Sequence, residues 1–241
     1  MLQFGSLPAG DISGICKDFM PKFGSRRTYF IPALDDWSNL TYMRFMEDDR
    51  HNTSVREHIL ATAQTIMSAK GFSGVGLNEI LTASDVPKGS FYHYFGSKED
   101  FGKALLARYF DAYLAGMDEI ISRDDLTGAE KILAYWTRWL ITQTADDPQS
   151  KCLVVKLAAE VSDMSEQMRG VLLNGTGQIT GRIAEMIEAG TRDGSVNIAG
   201  QPRDVATSLY QSWLGASLLA KITRDDTPLL VAMKETRKTL G

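Results

Sequence analysis

Pro87 restricts what this chain can fold into more than any other residue. A proline gives no amide to a helix ladder and clashes with the turn before it, so it belongs at the first turn of a helix and forces a break behind it. The helix it opens here is PKGSFYHYFGSK, residues 87 to 98, and the segment behind it, GLNEILTASDV from Gly76 to Val86, carries Leu77, Ile80 and Leu81 at helical spacing. Two short helices joined by a tight turn follow. The second is dense in aromatic, hydroxyl and imidazole groups where an ordinary surface helix carries Glu and Lys, which is the outline of a helix that reads DNA.

With 241 residues, 44% of them hydrophobic, the chain can fill one large domain or two small ones, and disorder throughout is excluded. No apolar run approaches the length that crosses a bilayer, and the N-terminus lacks the basic start and apolar block of a signal peptide, so a cytoplasmic protein with no membrane partner is expected. Cys16 and Cys152 cannot build a disulfide framework; as reduced thiols they are either packing or reactive chemistry. A formal net charge of −4 argues against a protein that coats nucleic acid non-specifically. Residues 51 to 110 are nevertheless close to neutral while residues 111 to 241 are acidic, a polarity compatible with a DNA-binding end and an acidic body.

Along the chain, residues 1 to about 45 show no sustained helical or strand period and read as an extension. Translation beginning at Met46 would explain it; a DNA-gripping arm using Lys22, Arg26 and Arg27 is the alternative. Residues 1–50 are therefore set apart from 51–97, the DNA-binding part, and 98–241, the body. Ser54 with Glu57 forms a capping pair ahead of a helix of about 16 residues ending at Gly71. Ala83 is a small residue where the second helix must approach a neighbour closely. After Pro87, Gly96 ends the third helix, and Ser97 with Asp100 caps a fourth that runs to Ile121. Thr127 and Glu130 repeat the capping pattern, Asp147-Pro148 breaks the chain, and Ser150 caps a helix starting at Lys151. Ser165, Pro202 and Thr227-Pro228 open the rest. No segment alternates like a strand, so the fold is all-α with about nine helices: a three-helix helix-turn-helix head and a helical regulatory and dimerisation body.

The run GLNEILTASDVPKGSFYHYFGSKEDF, with the order of helices behind it from about residue 50 to 241, resembles the TetR family of bacterial transcriptional regulators. The resemblance implies a DNA-binding head and a larger helical body that binds an effector and dimerises. Asp85 stands where such turns usually carry Gly; Asp tolerates the left-handed conformation, so the turn is expected to survive. Within the family, KCLVVKLAAEVSDMSEQMR and LYQSWLGASLLAKIT resemble the repressors that respond to electrophiles and oxidants, which implies a reactive cysteine at Cys152 and a lysine partner at Lys221. Such repressors carry further cysteines; here Ser162 stands where one is expected.

For the head, Lys88, Gly89, Ser90, Tyr94 and Lys98 are the candidate DNA-backbone contacts, and Tyr92 with His93 can reach base edges; Phe91 and Phe95 belong to the core beneath. Cys152, in the first turn of its helix beside Lys151 and Lys156, sits where free amides and ammonium groups favour thiolate. Spacing alone equally allows a buried packing thiol; the resemblance favours sensing. Lys221 closes an apolar helix, where a lysine often complements the helix dipole; near an oxidised Cys152 its amine can form a reversible S–N bond. Tyr135, Trp136, Trp139, Met164, Met168 and Trp213 are candidates for an apolar pocket. Ala206, Ser208, Gly215, Ala216 and Ser217 permit close approach between the last two helices of two copies, and a two-fold dimer suits a palindromic double-stranded operator.

The function these features support is a repressor released when an electrophile or oxidant modifies Cys152. A same-fold repressor with a non-covalent hydrophobic effector is the alternative, and a DNA-binding protein with an architectural role is a further one. A cysteine-dependent enzyme is weaker, because all three histidines, His51, His58 and His93, lie far from Cys152 in sequence. No phosphate loop or metal-ligand cluster is evident, so neither cofactor nor metal is expected.

Overall fold

The structure, a computed structural model, describes residues 38–145 and 151–241, with side chains from Ser54 onward. Cys16, Lys22, Arg26, Arg27, Asp147, Pro148 and Ser150 lie outside the described residues. The chain clusters into two compact units, residues 1–47 and 48–241. Of the first, only the backbone of residues 38–47 is described; all packing and site geometry belongs to the second.

Among the described residues there are nine helices and no strand: α1 (Ser38–Lys70), α2 (Leu77–Ser84), α3 (Lys88–Tyr94), α4 (Lys98–Ile121), α5 (Gly128–Thr144), α6 (Leu153–Met164), α7 (Glu166–Asp193), α8 (Pro202–Thr223) and α9 (Thr227–Leu240). The all-α expectation is met. The first helix differs: α1 starts well before Ser54 and is not capped by it. No Gly or Pro lies between Ser38 and Lys70 to stop a helix, so the Ser54–Glu57 pattern sits inside one. Gly71, at φ +84°, ends it as expected.

The turn between α2 and α3 survives its aspartate. Asp85 adopts the left-handed region (φ 52°, ψ 44°), and the amide of Val86 closes onto the Leu81 carbonyl at 3.1 Å. The close approach to α1 falls at Ser84 rather than Ala83, which is exposed. The Ser84 hydroxyl folds back onto the Ile80 carbonyl (2.7 Å), leaving its own carbonyl to the His58 ring (3.1 Å). Beneath α3, Phe91 packs against Phe95 and Phe101 with ring centroids 5.1 and 5.3 Å apart. Ser97 caps α4 by accepting from the Asp100 amide.

In the body, α7 is the central helix, against which α4, α5, α6 and α8 all pack. Its end meets the start of α5 backbone to backbone: a Cβ on Gly128 would lie 2.0 Å from the Gly190 nitrogen, so only glycine fits there. The first amides of α5 are satisfied across the same contact, by the Asp193 carboxylate on Gly128 (2.8 Å) and the Ser195 hydroxyl on Ala129 (3.0 Å). Thr127 and Glu130 form the capping box that their spacing predicts. One hydrophobic cluster runs from Ile59 through to Leu240.

The three N-terminal helices are fastened to the body along α1, where Arg108 of α4 donates to the Glu57 carboxylate (2.8 Å) and the Gln64 side-chain carbonyl (2.7 Å), and at the turn after α1. From α6, Lys156 donates to the Ala69 carbonyl (2.8 Å), and the Glu160 carboxylate accepts from the amides of Phe72 (3.0 Å) and Ser73. From α4, Lys98 donates to the carbonyls of Val75 (2.8 Å) and Phe72 (3.3 Å), with its ammonium 4.9 Å from the centre of the Phe72 ring.

Candidate functional site

On α3 the core side chains and the free ones separate cleanly. Phe91 and Phe95 are buried, whereas Lys88, Gly89, Tyr92 and His93 are exposed, Tyr92 by 50%. Ser90 and Tyr94 are half-buried, the Tyr94 ring standing edge-on to His93 at 5.1 Å. This is the division a groove-reading helix requires, with polar tips outward and an aromatic floor beneath. Lys98 is different: two of its three N–H groups go to the carbonyls of the α1–α2 turn, so it ties the start of α4 to that turn.

Cys152 lies at the other end of the same connection. It is the N-cap of α6 rather than a residue inside its first turn, because the helix opens at Leu153 and not at Lys151. The sulfur accepts from the Tyr109 hydroxyl at 3.5 Å, and the amides of Val154 and Val155 also favour its anion. Burial outweighs them and pushes the thiol above its ordinary value. The low pKa expected from helix end and lysines is therefore not found. None of Lys151, Lys156 and Lys221 is among the groups acting on the thiol.

Although only 5% exposed, Cys152 lines two cavities. The larger, about 800 Å³, also holds Lys151, Lys156, Lys221 and Arg224, so Cys152 and Lys221 do share one space. Burial, and then the charges of Lys156 and Lys151, hold the Lys221 ammonium below its ordinary value. The smaller, about 410 Å³, is lined by Tyr109, Tyr113, Tyr135 and Trp139. The Tyr113 and Tyr135 hydroxyls meet at 2.9 Å, and burial raises both far above the usual phenol range. Tyr210 and Cys152 lie close enough to raise one of them, the Tyr210 phenol, further; its hydroxyl makes no hydrogen bond among the described residues.

Of these tyrosines the sequence singles out only Tyr135. Tyr109 with Tyr113, and Tyr135 with Trp139, are each four residues apart, a spacing that shows a shared helix face but not what faces it. Of the six candidates for an apolar pocket, Tyr135 and Trp139 line the smaller cavity, and Met168 is buried in the core. Trp136 and Trp213 are fully buried and stacked on each other (4.7 Å, 10°), which makes them core. Met164 is 52% exposed and accepts from the Ser73 hydroxyl, outside any aromatic pocket.

On α8, Ala206, Ala216 and Ser217 are used up in the chain's own core, while Ser208 and Gly215 face outward. Leu218, Leu219 and Ile222 continue that outward face, and Leu230 and Val231 of α9 are exposed as well. Among the described residues no helix is long and apolar enough to cross a membrane, and no three His, Cys, Asp or Glu side chains converge as metal ligands would.

Comparisons with known proteins agree with this division of labour. Residues 59–111 match the family model described as bacterial regulatory proteins, tetR family, and residues 128–236 match the tetracyclin repressor-like C-terminal domain. The chain is 40% identical over 191 residues to the HTH-type transcriptional repressor NemR of Escherichia coli K12, covering 79% of this chain and 95% of that one. It is 30% identical over 177 residues to the repressor DhaR of a Mycobacterium species (73% and 87% covered). The crystal structure of the reduced form of E. coli NemR superposes with a TM-score of 0.74 over 78% of this chain and 97% of that one, at 40% identity. Matched at both ends by the family's domains and aligned along nearly the whole of NemR, the chain belongs to the TetR family of DNA-binding transcriptional regulators.

Proposed function

We propose that the protein is a repressor that leaves its operator when an electrophile or oxidant modifies Cys152. The observation that carries this is the position of the thiol. It stands at the N-cap position of the helix whose next turns, through Lys156 and Glu160, hold the turn between α1 and α2, so a change in bulk at the sulfur acts at one end of a rigid lever fastened to the head at the other. The similarity to NemR, a repressor whose solved form is described as reduced, supports the same reading.

On this reading Tyr92 and His93 reach base edges, Lys88, Gly89, Ser90 and Tyr94 contact the DNA backbone, and Lys98 braces the helix pair from behind. Two copies pair through the outward face of α8 and α9 on a palindromic operator. Such a regulator works in the cytoplasm and needs no enzymatic activity. With N-ethylmaleimide, the sulfur anion adds to one alkene carbon, and water protonates the other. With hypochlorous acid, the thiol passes through the sulfenyl chloride to the sulfenic acid, releasing chloride; condensation with the Lys221 amine then expels water and forms the S–N bond. Two equivalents of a small thiol reverse that bond, returning thiol and amine and leaving a disulfide of the reductant.

The aromatic cavity of Tyr113, Tyr135 and Trp139 favours a second reading, a hydrophobic effector held without a covalent bond. One gel-shift series on the DNA upstream of its own gene separates the two. Wild type treated with N-ethylmaleimide is expected to release the DNA, and Cys152→Ser to hold it. Equal release by both proteins would falsify the covalent reading.

A further inference from the structure

The walls of the larger cavity are unequal in charge. Among the described residues it is lined by Lys151, Lys156, Lys221 and Arg224 against Asp225 and Asp226. Lys156 spends its ammonium on the Ala69 carbonyl, and Asp225 accepts from the Thr227 amide (2.9 Å), turned to the start of α9. Lys151, Lys221 and Arg224 form no ion pair among the described residues. Among the described residues, positive charge is thus gathered in a partly enclosed space with less negative charge than would balance it. The lowered affinity of Lys221 for its proton has that cause in part, since Lys156 and Lys151 both oppose it. An anion entering the cavity removes that repulsion, and a cation adds to it.

Cys152 lines this cavity, which makes it a route to the sulfur. We propose that the cleft of Lys151, Lys221 and Arg224 biases by charge what reaches Cys152, so that electrophiles or oxidants carrying a carboxylate, sulfonate or phosphate group are favoured over neutral ones and cationic ones are disfavoured. The inference rests on Cys152 being the sensing residue, and it adds a determinant of specificity. Clefts lined by one sign of charge, with low-dielectric walls, raise the local concentration of the opposite ion and its rate of arrival. The effect is screened by salt, because the Debye length falls from ~10 Å at 0.1 M to ~3 Å at 1 M.

Two methanethiosulfonates of opposite charge, the ethylsulfonate and the ethyltrimethylammonium reagents, test it on the full-length protein. In both, the Cys152 anion attacks the sulfenyl sulfur, a disulfide forms, methanesulfinate leaves, and the thiol proton goes to solvent. Rates at Cys152 are read by mass spectrometry of the peptide that contains it, which separates it from Cys16, and divided by the same reagents' rates with 2-mercaptoethanol. The normalised preference for the anionic reagent is expected to be about tenfold at low salt, within the range for charge steering. It should fall towards one in 1 M salt and in the triple variant Lys151→Gln, Lys221→Gln, Arg224→Gln. Labelling of Cys152 with no preference, or with a preference the triple variant keeps, overturns the charge-selecting cleft and leaves the sensing role standing. No labelling by either reagent, in a protein whose circular dichroism shows it folded, overturns both.

Discussion

At Cys152 three donors favour the thiolate, the Tyr109 hydroxyl and the amides of Val154 and Val155, yet burial keeps the group protonated above its ordinary value of 9.0. Capping donors and nearby lysines were legible in the sequence; the depth at which the thiol sits was not, because burial is decided by α4, α5 and α8, which bring Tyr109, Tyr135 and Tyr210 to it from distant parts of the chain. The consequence for rate is definite. Below its pKa a thiol supplies tenfold more thiolate for each unit of pH, so alkylation of Cys152 by N-ethylmaleimide should rise about tenfold per unit from pH 7 to 9, without levelling off. A plateau below pH 8 in a mass-spectrometric rate profile would show a lowered pKa and refute the buried-thiol picture. Tyr109→Phe removes one of the three donors and should slow the reaction about fivefold at neutral pH, the weight of a single modest hydrogen bond. That variant is also conservative for packing, since the ring stays between Phe110 and Tyr113.

At the scale of the helix, Cys152, Lys156, Glu160 and Met164 follow one another every four residues along α6, and the last three all grip the turn from Ala69 to Ser73. Burial opposes the charge on Glu160, but the hydrogen bonds from Ser73 and Phe72 outweigh it and hold the carboxyl below its ordinary 4.5, so the grip is fully ionised at neutral pH. Glu160→Ala should therefore leave Cys152 as reactive as before while reducing the ratio of operator Kd between alkylated and unmodified protein by about tenfold. An unchanged ratio, by fluorescence anisotropy on both forms, would place the coupling elsewhere. The spacing of this stripe is plain in the sequence, but what it touches lies almost ninety residues upstream, and only the fold joins them. Local signals did better: the Asp85 turn, the Thr127–Glu130 box and the Ser97 and Ser165 caps are all realised, since each is settled within a few residues. Helix starts failed where a competing signal was silent, as in α1, which runs through Ser54 because nothing stops it. Gly128 shows the limit from the other side. It looks like an ordinary first-turn residue, yet Gly128→Val would drive a side chain into the Gly190 backbone, and urea unfolding should show a loss of about 3 kcal/mol.

For the whole molecule, the proposed function on a palindromic operator makes the spacing of two heads the quantity that matters, and that is set by how copies pair. The outward side of α8 and α9 is the exposed face best suited to it, with Leu219 52% and Val231 55% exposed although they sit on helices whose other sides are core. Surface this apolar is expensive in water, at roughly 25 cal/mol for each Å² left uncovered, so a partner that covers it is stabilised in proportion. Leu219→Glu with Val231→Glu places like charges where two copies would meet while leaving every buried side chain in place. The variant should sediment as a folded monomer with the circular dichroism of the parent. Its affinity for a palindromic operator should fall by about 100-fold or more, because a single head keeps one half-site and loses the effective concentration that tethers the second. If the signal acts by spreading two heads, alkylation of Cys152 should then have almost nothing left to release. A monomer that still binds the full operator tightly and still lets go on alkylation would mean that the α6 lever works within one head, without any change in spacing. A variant that remains dimeric would move the interface off α8 and α9 altogether.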